Sequence, residues 1–206
     1  MSRARNTPFY AATILLLLTV SACSLSTSKP EMSNFLAGIS PASFEEIYPR
    51  LLLVVSEEDA DFFLSSFVIQ LVPDASNADR VATAFFFQVQ DHSSQSDENL
   101  RLFAQIYEGG SIDIQVENRP VYQGQGELPS NTEGIMDSRE AWKVFLTINE
   151  LYNFSEEDFS CASLLLLLSR RGEKTPSVWR LVVSDCTFEN ASFFDIDART
   201  GMRLDP

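Results

Sequence analysis

The sequence predicts an α+β fold built from two tandem units, each a helix packed on a small antiparallel sheet. Two observations predict it. Each half of the chain runs in the same order, from an amphipathic helix through an acidic break to three strand-like segments and a glycine-containing turn. The acidic breaks at 56–59 and 155–158 both read Ser-Glu-Glu-Asp and lie 99 residues apart. The shared order indicates that one unit was duplicated.

The first residues have the composition of an export signal. Arg3 and Arg5 precede an uncharged apolar run with four consecutive leucines, and small residues follow it. The run is about a dozen residues long, whereas a helix needs roughly 20 to cross a bilayer. We therefore predict that residues 1–22 form a signal peptide that is removed after export.

The end of this signal, Val20-Ser21-Ala22-Cys23, resembles the lipobox of bacterial lipoproteins. The resemblance implies cleavage before Cys23 and attachment of lipid (palmitate) to it, which anchors the chain in a membrane on the extracytoplasmic side of the cell envelope. The alternative is an ordinary secretory signal that is cut at the same bond. Residues 23–42 are then the lipidated cysteine and a tether. The apolar residues of the tether that we expect to dock on the folded body are Phe35, Leu36 and Ile39.

The charge balance is strongly acidic. The whole chain has 15 basic and 29 acidic residues, and removal of residues 1–22 takes away two arginines and no acid, leaving 13 basic and 29 acidic residues and a net charge of -16. Phosphates repel such a chain, which argues against a nucleic-acid partner. The negative charge also disfavours direct binding of the chain to anionic lipid. We therefore expect it to attach to the membrane through the lipid on Cys23. The simplest role of the acidity is solubility.

The first unit is predicted at 43–118. Ser43 and Glu46 form a capping box at the start of a helix with apolar residues at helical spacing. Pro49 falls inside this pattern, so we expect either a kink there or a regular helix that begins at Tyr48. The strand patterns that follow lie at 62–72, 81–90, 100–107 and, after the turn at Gly109-Gly110, at 112–116.

The second unit is predicted at 137–206, after a linker at 119–136 that is rich in Pro, Gly, Gln and Asn. Asp137 and Glu140 predict a helix N-terminus. The apolar stripe of this helix consists of Ala141, Trp142, Phe145, Ile148 and Tyr152. The strand patterns of this unit lie at 161–169, 178–186 and 191–197.

Three cysteines are present, and lipid on Cys23 leaves Cys161 and Cys186 as an even pair in an oxidising compartment. A turn centred between Glu173 and Lys174 would place Cys161 directly opposite Cys186. Directly opposed residues of an antiparallel pair have Cβ atoms about 4.5–5.5 Å apart, close to the distance that a disulfide needs. We predict this disulfide, and the alternative is two buried free thiols.

The aromatic runs Phe62-Phe63 and Phe85-Phe86-Phe87 place rings on both faces of their strands. The interpretation we favour is a sheet covered on both faces, by the helix of its own half on one side and by the other half or a partner protein on the other. The alternative is an exposed binding patch.

The end of the chain carries a longer pattern. Trp179-Arg180-Leu181-Val182-Val183 is followed by Phe194-Asp195-Ile196-Asp197 and then Ala198-Arg199-Thr200-Gly201. This pattern resembles the PepSY domain family over residues 137–206, and the first half resembles it as a degenerate copy. The resemblance implies a PepSY-like, cystatin-like module without catalysis, with a peptidase as its partner. Independently of the resemblance, Asp197 can accept backbone hydrogen bonds in a turn and Gly201 can take a positive φ.

Few residues point to chemistry. His92 is the one histidine and falls in a polar stretch, where a solvated side chain is expected rather than a catalytic base or a zinc ligand. Neither Ser-Glu-Glu-Asp run has the alternate oxygen ligands and central glycine of a calcium loop, and the phosphate-binding glycine patterns are missing. We therefore predict no metal and no cofactor. Asp195 and Asp197 fall on one strand face and are the pair to consider for carboxylate catalysis, but a turn role explains Asp197 more simply, so we predict no catalytic residue.

These observations favour a lipid-anchored extracytoplasmic binding or regulatory protein that is not an enzyme. Its expected partner is an envelope or secreted protein, with a peptidase implied by the PepSY resemblance. One alternative is an envelope hydrolase that uses carboxylates. The other is a structural lipoprotein of an envelope complex.

Overall fold

The computed structural model describes residues 34–204 except 59–61, 72–79, 89–97, 121–131, 170–173 and 188. Its α-helices are α1 (Asn34–Gly38), α2 (Phe44–Glu58) and α3 (Ser138–Phe145). Two short 3-10 helices at Asn149–Asn153 and Glu157–Phe159 follow α3. The strands are β1 (Phe62–Gln70), β2 (Arg80–Gln88), β3 (Glu98–Tyr107), β4 (Ile112–Pro120), β5 (Ser163–Leu167), β6 (Val178–Val183), β7 (Ser192–Asp197) and β8 (Arg203–Leu204).

All these strands form one antiparallel sheet in the order β4-β3-β2-β1-β5-β6-β7-β8. Each half of the chain supplies a four-stranded meander, and the first strands of the two meanders pair at the centre, Ser66–Gln70 with Ser163–Leu167. The predicted fold class, α+β with two tandem helix-plus-small-sheet units, is therefore wrong. The fold is predominantly β, with a single large sheet.

The reason lies in the edges of the sheet. Two separate sheets would leave β1 and β5 each with a row of unpaired backbone groups, and pairing them removes both edges. The alternation that predicts a strand has a period of two residues and says nothing about which strand of the other half lies beside it. The described residues from Phe35 onward accordingly form one compact unit.

The central pair relates the two halves to each other. Phe67 of β1 lies directly opposite Leu166 of β5, and these residues are 99 positions apart. The two Ser-Glu-Glu-Asp runs have the same separation. Equivalent residues of the two halves therefore meet across the centre of the sheet, as expected for an approximate two-fold relation. This arrangement supports the predicted duplication.

The pairing of β5 with β6 differs from the predicted register by two residues. Leu167, rather than Ser169, lies opposite Val178, and Ser163 lies opposite Val182. The backbone N–H of Ser169 instead donates to Ser177 Oγ at 3.0 Å. A shift of two residues leaves each side chain on its predicted face of the sheet, because faces alternate with that period.

The core lies between one face of the sheet and the helices. α2 and α3 each place an apolar stripe against alternate residues of the strands, and the buried residues form one cluster. The ring of Phe44 joins the halves, since it lies 5.2 Å from the ring of Phe67 in β1 and 6.1 Å from that of Trp179 in β6. Leu36 of α1 is completely buried, so the expected docking of the tether begins there. Burial of each such side chain contributes about 1.5–3 kcal/mol.

The helices differ from the prediction in two details. α2 begins at Phe44 and includes Pro49, so the alternative in which the regular helix begins at Tyr48 is wrong. α3 ends at Phe145, and Tyr152 lies in the 3-10 helix that follows rather than in one continuous helix. Within the parts of the chain that the structure describes, no helix is long and apolar enough to cross a bilayer.

The N-termini of α2 and α3 share one capping carboxylate. Asp137 precedes α3, and its Oδ2 accepts from the backbone N–H of Arg139 at 3.0 Å. Its Oδ1 accepts from the N–H of Glu45 in α2 at 2.9 Å and from Ser43 Oγ at 2.8 Å. Ser43 in turn caps its own helix, accepting from the N–H of Glu46 at 3.2 Å. One buried side chain thus satisfies orphan donors of two helices from opposite halves.

Ser138 reinforces this junction. Its Oγ accepts from the backbone N–H of Phe44 at 2.9 Å and donates to the carbonyl of Ala42 at 2.6 Å. At the exposed side, Arg139 pairs with Glu46 at 2.8 Å. The predicted capping box is therefore confirmed for Ser43, which caps the N–H of Glu46, whereas the Glu46 carboxylate pairs with Arg139 of the other half.

Candidate binding surface

The strand residues that alternate with the core residues form a second surface, which we call the open face. Two rows of directly opposed residues cross it, one from β4 to β7 and the other from β4 to β8. The first row consists of Gln115, Phe103, Phe85, Ser66, Leu167, Val178 and Asp197. The second consists of Asp113, Gln105, Thr83, Val68, Leu165, Arg180, Asp195 and Leu204.

Large apolar side chains on the open face are exposed. Phe85 is 40% exposed and Phe193 is 59% exposed. Phe85 lies beside Phe103, with ring centroids 6.4 Å apart, and neither belongs to the core cluster. The interpretation that both faces of the sheet are covered is therefore wrong for Phe85. It holds for Phe86, which lies in the core, and for Phe87, which is only 7% exposed on the same face as Phe85.

A fixed ion pair lies among these apolar residues. Arg180 donates from Nε and Nη2 to the two carboxylate oxygens of Asp195, each at 2.7 Å. The guanidinium also lies 5.5 Å from the centre of the Phe193 ring, which is a cation–π distance. The hydrogen bonds to Asp195 raise the pKa of Arg180, so the guanidinium stays charged. A bidentate pair of this kind holds both side chains in one geometry.

Asp197 holds the turn between β7 and β8. Its Oδ1 accepts from the backbone N–H of Arg199 at 2.9 Å and of Thr200 at 2.8 Å. Gly201 has a φ of 70°, and its N–H donates to the Asp197 carbonyl at 2.9 Å. A Cβ at Gly201 would lie 3.2 Å from Met136 Cε, so a larger residue would be strained by conformation and by contact. This is the turn role that the sequence indicates for both residues.

The two carboxylates considered for catalysis are thus engaged in structural contacts. Asp195 is held by Arg180, and Asp197 accepts two backbone hydrogen bonds. Burial alone would raise the pKa of Asp197, but the hydrogen bonds from Thr200 and Arg199 outweigh it and lower that pKa. A general acid needs a pKa raised toward neutrality, and this shift has the opposite sign.

The cysteine pair lies just outside the central strands of the second half. Cys161 and Cys186 are at disulfide distance, with Cα atoms 5.0 Å apart. With the observed register, Ser184 takes the place opposite Cys161 and accepts its backbone hydrogen bond at 3.0 Å. The predicted placement of Cys186 directly opposite Cys161 is therefore wrong by two residues. Cys186 instead lies in the turn after β6 and approaches Cys161 from there.

Several predicted positions lie outside the described residues. Cys23, the signal at 1–22 and His92 are among them, and of the linker at 119–136 only the ends are described. At its far end Ile135 is buried and the N–H of Met136 donates to the carbonyl of Ala198 at 2.8 Å. Within the described ranges, no group of three or more His, Cys, Asp or Glu residues could hold a metal ion.

Two features of this surface have only a weak signal in the sequence. The Arg180–Asp195 pair would follow from alternation only if the neighbouring strands and their register were known. The sequence signal for the open face is a strand in which the side chains of both faces are apolar, as at Phe85-Phe86-Phe87. Such a run indicates rings on both faces but leaves open what covers each face.

No family model matches the chain, and neither a curated protein nor a solved structure matches it. The lipobox and PepSY resemblances therefore stay predictions from the residues that carry them.

Proposed function

We propose that this chain is a lipid-anchored extracytoplasmic binding or regulatory protein, without catalytic activity, that holds a partner protein against the open face. The observation that carries the proposal is the exposure of aromatic side chains on a sheet face opposite the helix-covered core. Contiguous exposed apolar surface on a soluble domain marks a site of interaction.

The open face has the composition of a protein interface. Each strand from β3 to β6 contributes apolar side chains to it, from Phe103 to Val178, and polar residues such as Ser66 and Thr83 lie among them. Polar and charged residues lie toward both ends, with Gln115 and Asp113 at β4 and Asp197 at β7. Interfaces are commonly built in this way, with an apolar centre that loses water and a polar rim that stays wet.

The sheet also supplies a rigid platform. Every strand except those at the edges is paired on both sides, and the helices bury the opposite face. A surface that is already ordered loses little conformational entropy when a partner binds. The lipid expected on Cys23 would hold this platform at a membrane, and the PepSY resemblance favours a peptidase as the protein held there.

Crosslinking in the producing cells tests the binding part of the proposal. A photoreactive amino acid replaces Phe85 or Phe193 in the full chain, and the matched control replaces Leu53, which is 69% exposed on α2. We expect a covalent adduct with a distinct protein from both open-face positions and not from Leu53. Equal adducts from Leu53, or no protein adduct from the open face, would contradict the proposal.

Fractionation tests the anchoring part. The substitution Cys23→Ser removes the sulfur that the lipobox resemblance assigns to the lipid. We expect the variant to leave the membrane fraction, while the unaltered chain stays in it and carries acyl groups on its mature N-terminus by mass spectrometry. A variant of processed size that still sediments with membranes would show that the anchor is not at Cys23.

A further inference from the structure

The two cysteines of the Cys161–Cys186 pair differ in exposure. Cys161 is half-buried beside the buried Ala162, and its backbone N–H donates to the carbonyl of Ser184 at 3.0 Å. Cys186 is exposed in the turn after β6. Thiol–disulfide exchange begins when a thiolate attacks one sulfur of a bridge, and access helps to decide which sulfur is attacked. A thiolate from solution therefore reaches Cys186 more readily than Cys161.

The bridge attaches the turn between β6 and β7 to another segment of the fold. The described side-chain hydrogen bonds of Asp185 and Thr187 stay within the turn. Thr187 donates from its N–H and Oγ1 to Asp185 Oδ1 at 3.1 and 2.7 Å, and its Oγ1 accepts from the N–H of Glu189 at 3.4 Å. Cys186 reaches outside the turn, to Cys161 through the bridge and to Ser160, whose Oγ lies 3.8 Å from its Sγ. Cleavage of the bridge therefore removes the covalent attachment of a turn that is otherwise bonded mainly to itself.

The start of β7, directly after this turn, is held on one side. Its first residues, Ser192 and Phe193, pair with the end of β6. The pairing of β7 with β8 begins only at Asp195. Phe194, by contrast, is half-buried, and its ring lies 6.0 Å from that of Phe154. The exposed Phe193 thus lies between a firmly packed residue and a turn that the bridge attaches.

We propose that the Cys161–Cys186 bridge is a redox site, cleaved by a dithiol protein at Cys186, that controls the presentation of Phe193 on the open face. One thiolate of the dithiol attacks Cys186 Sγ, the S–S bond breaks, and Cys161 leaves as a thiolate that takes up a proton. The second thiolate of the dithiol then attacks its own partner sulfur in the mixed disulfide and releases Cys186 as a thiol. Two electrons and two protons pass to the bridge, and the dithiol becomes a disulfide.

The oxidation state of the bridge then decides how firmly Phe193 is held. In the bridged chain, the ring has a defined place 5.5 Å from the guanidinium of Arg180, and an ordered side chain loses little conformational entropy when a partner binds. After reduction, residues 185–193 have fewer links to the rest of the fold, and local opening is easiest in such segments. This regulation rests on the proposed function of the open face, whereas the exchange reaction itself does not.

Peptide mapping tests which sulfur is attacked. Cysteamine, a small thiol, is added to the folded full chain, and the reaction is stopped early with N-ethylmaleimide. We expect the first products to carry cysteamine on Cys186 and maleimide on Cys161. An even distribution, the reverse distribution, or reaction only after addition of denaturant would overturn Cys186 as the site of attack.

Amide hydrogen exchange tests the consequence for β7. The full chain is compared before and after reduction with dithiothreitol, and the double variant Cys161→Ser and Cys186→Ser is measured without reductant. We expect both unbridged samples to exchange about tenfold faster in residues 189–193, while residues 82–86 of β2 change by less than about twofold. Unchanged exchange in 189–193, or equal acceleration throughout the sheet, would overturn the proposed control of Phe193.

Crosslinking separates this regulation from the proposed function. The photoreactive amino acid is placed at Phe193 or at Phe85, which lies in β2 of the other half, in the bridged chain and in the double cysteine variant. We expect loss of the bridge to lower the yield of partner adduct from position 193 several-fold relative to that from position 85. Adducts in an unchanged ratio would overturn the regulation alone. Absence of adducts from both positions in the bridged chain would overturn the proposed function, and the regulation with it.

Discussion

Asp137 shows how much one side chain can do when two helices begin side by side. Its carboxylate accepts backbone hydrogen bonds from Glu45 of α2 and Arg139 of α3. Ser43, the cap of α2, also donates to it. The predicted capping residue of the second helix is thus shared by the first, and it connects halves whose caps lie 94 residues apart.

We expect Asp137→Ala to lower the free energy of unfolding by about 2–3 kcal/mol, because loss of one cap costs roughly 0.5–2 kcal/mol and two helices are affected. Urea denaturation measures the change. The control is Asp158→Ala, whose carboxylate accepts only local hydrogen bonds from Ser155 on the surface. A loss no greater than that of the control would contradict the shared cap.

The contribution of the Asp137 carboxylate to stability should depend on pH. Burial alone would raise the pKa of Asp137, but hydrogen bonds from Glu45, Arg139 and Ser43 outweigh it and lower that pKa. A folded-state pKa below the unfolded value of about 3.9 means that the carboxylate stabilises the fold above about pH 4. This contribution is lost as the pH falls through the folded-state pKa.

The difference in unfolding free energy between the natural chain and Asp137→Asn should therefore be constant from about pH 5 to 8 and shrink below about pH 4. Denaturation curves at a series of pH values measure it. A difference that grows on acidification would mean that folding raises the pKa of Asp137 instead of lowering it.

At the scale of elements, the cysteine pair connects the segment before β5 to the turn after β6. It closes a loop with a sequence separation of 25. In the chain-entropy model, a bridge over such a loop stabilises the fold by about 3–4 kcal/mol, mainly by restricting the unfolded chain. The bridge therefore supports β5, the strand that meets the first half at the centre of the sheet.

We expect the double substitution Cys161→Ser and Cys186→Ser to lower the unfolding free energy by about 3 kcal/mol. The natural chain under reducing conditions should match the double variant, and thiol labelling without reductant should find both cysteines blocked. Labelling of either thiol in the unreduced mature protein would contradict the bridge.

The elements themselves were largely predictable, and their arrangement was not. Patterns with a period of two located strands such as β1 and β6, and Asp137 marked the start of α3, because these signals are local in the sequence. The predicted register of β5 on β6 was wrong by two residues, because a polar stretch gives little indication of where its turn is centred. The pairing of Phe67 with Leu166 involves residues 99 positions apart. No local pattern specifies a contact at that separation.

At the scale of the whole molecule, one core and one sheet imply one unfolding transition. Phe67 lies in the first half, completely buried, and its ring contacts that of Phe44. Both tryptophans, Trp142 and Trp179, lie in the second half and report on it by fluorescence. A substitution at Phe67 in the first half should therefore change the unfolding transition that the tryptophans of the second half report.

We expect Phe67→Ala to lower the unfolding free energy by about 3–5 kcal/mol, with tryptophan fluorescence and circular dichroism following the same single transition. Phe193→Ala, the same change at an exposed position, should cost within about 0.5 kcal/mol. Two separated transitions, or a tryptophan signal that ignores Phe67→Ala, would mean that the halves fold independently.

The central placement of β1 also has a consequence for the order in which the chain becomes available. Synthesis delivers the first meander before the residues of β5 emerge, nearly a hundred positions later. Until then, β1 has no neighbouring strand on one side and can pair with a strand of another protein. Late synthesis of β5 therefore leaves the first half open to mispairing until the remainder of the polypeptide is made.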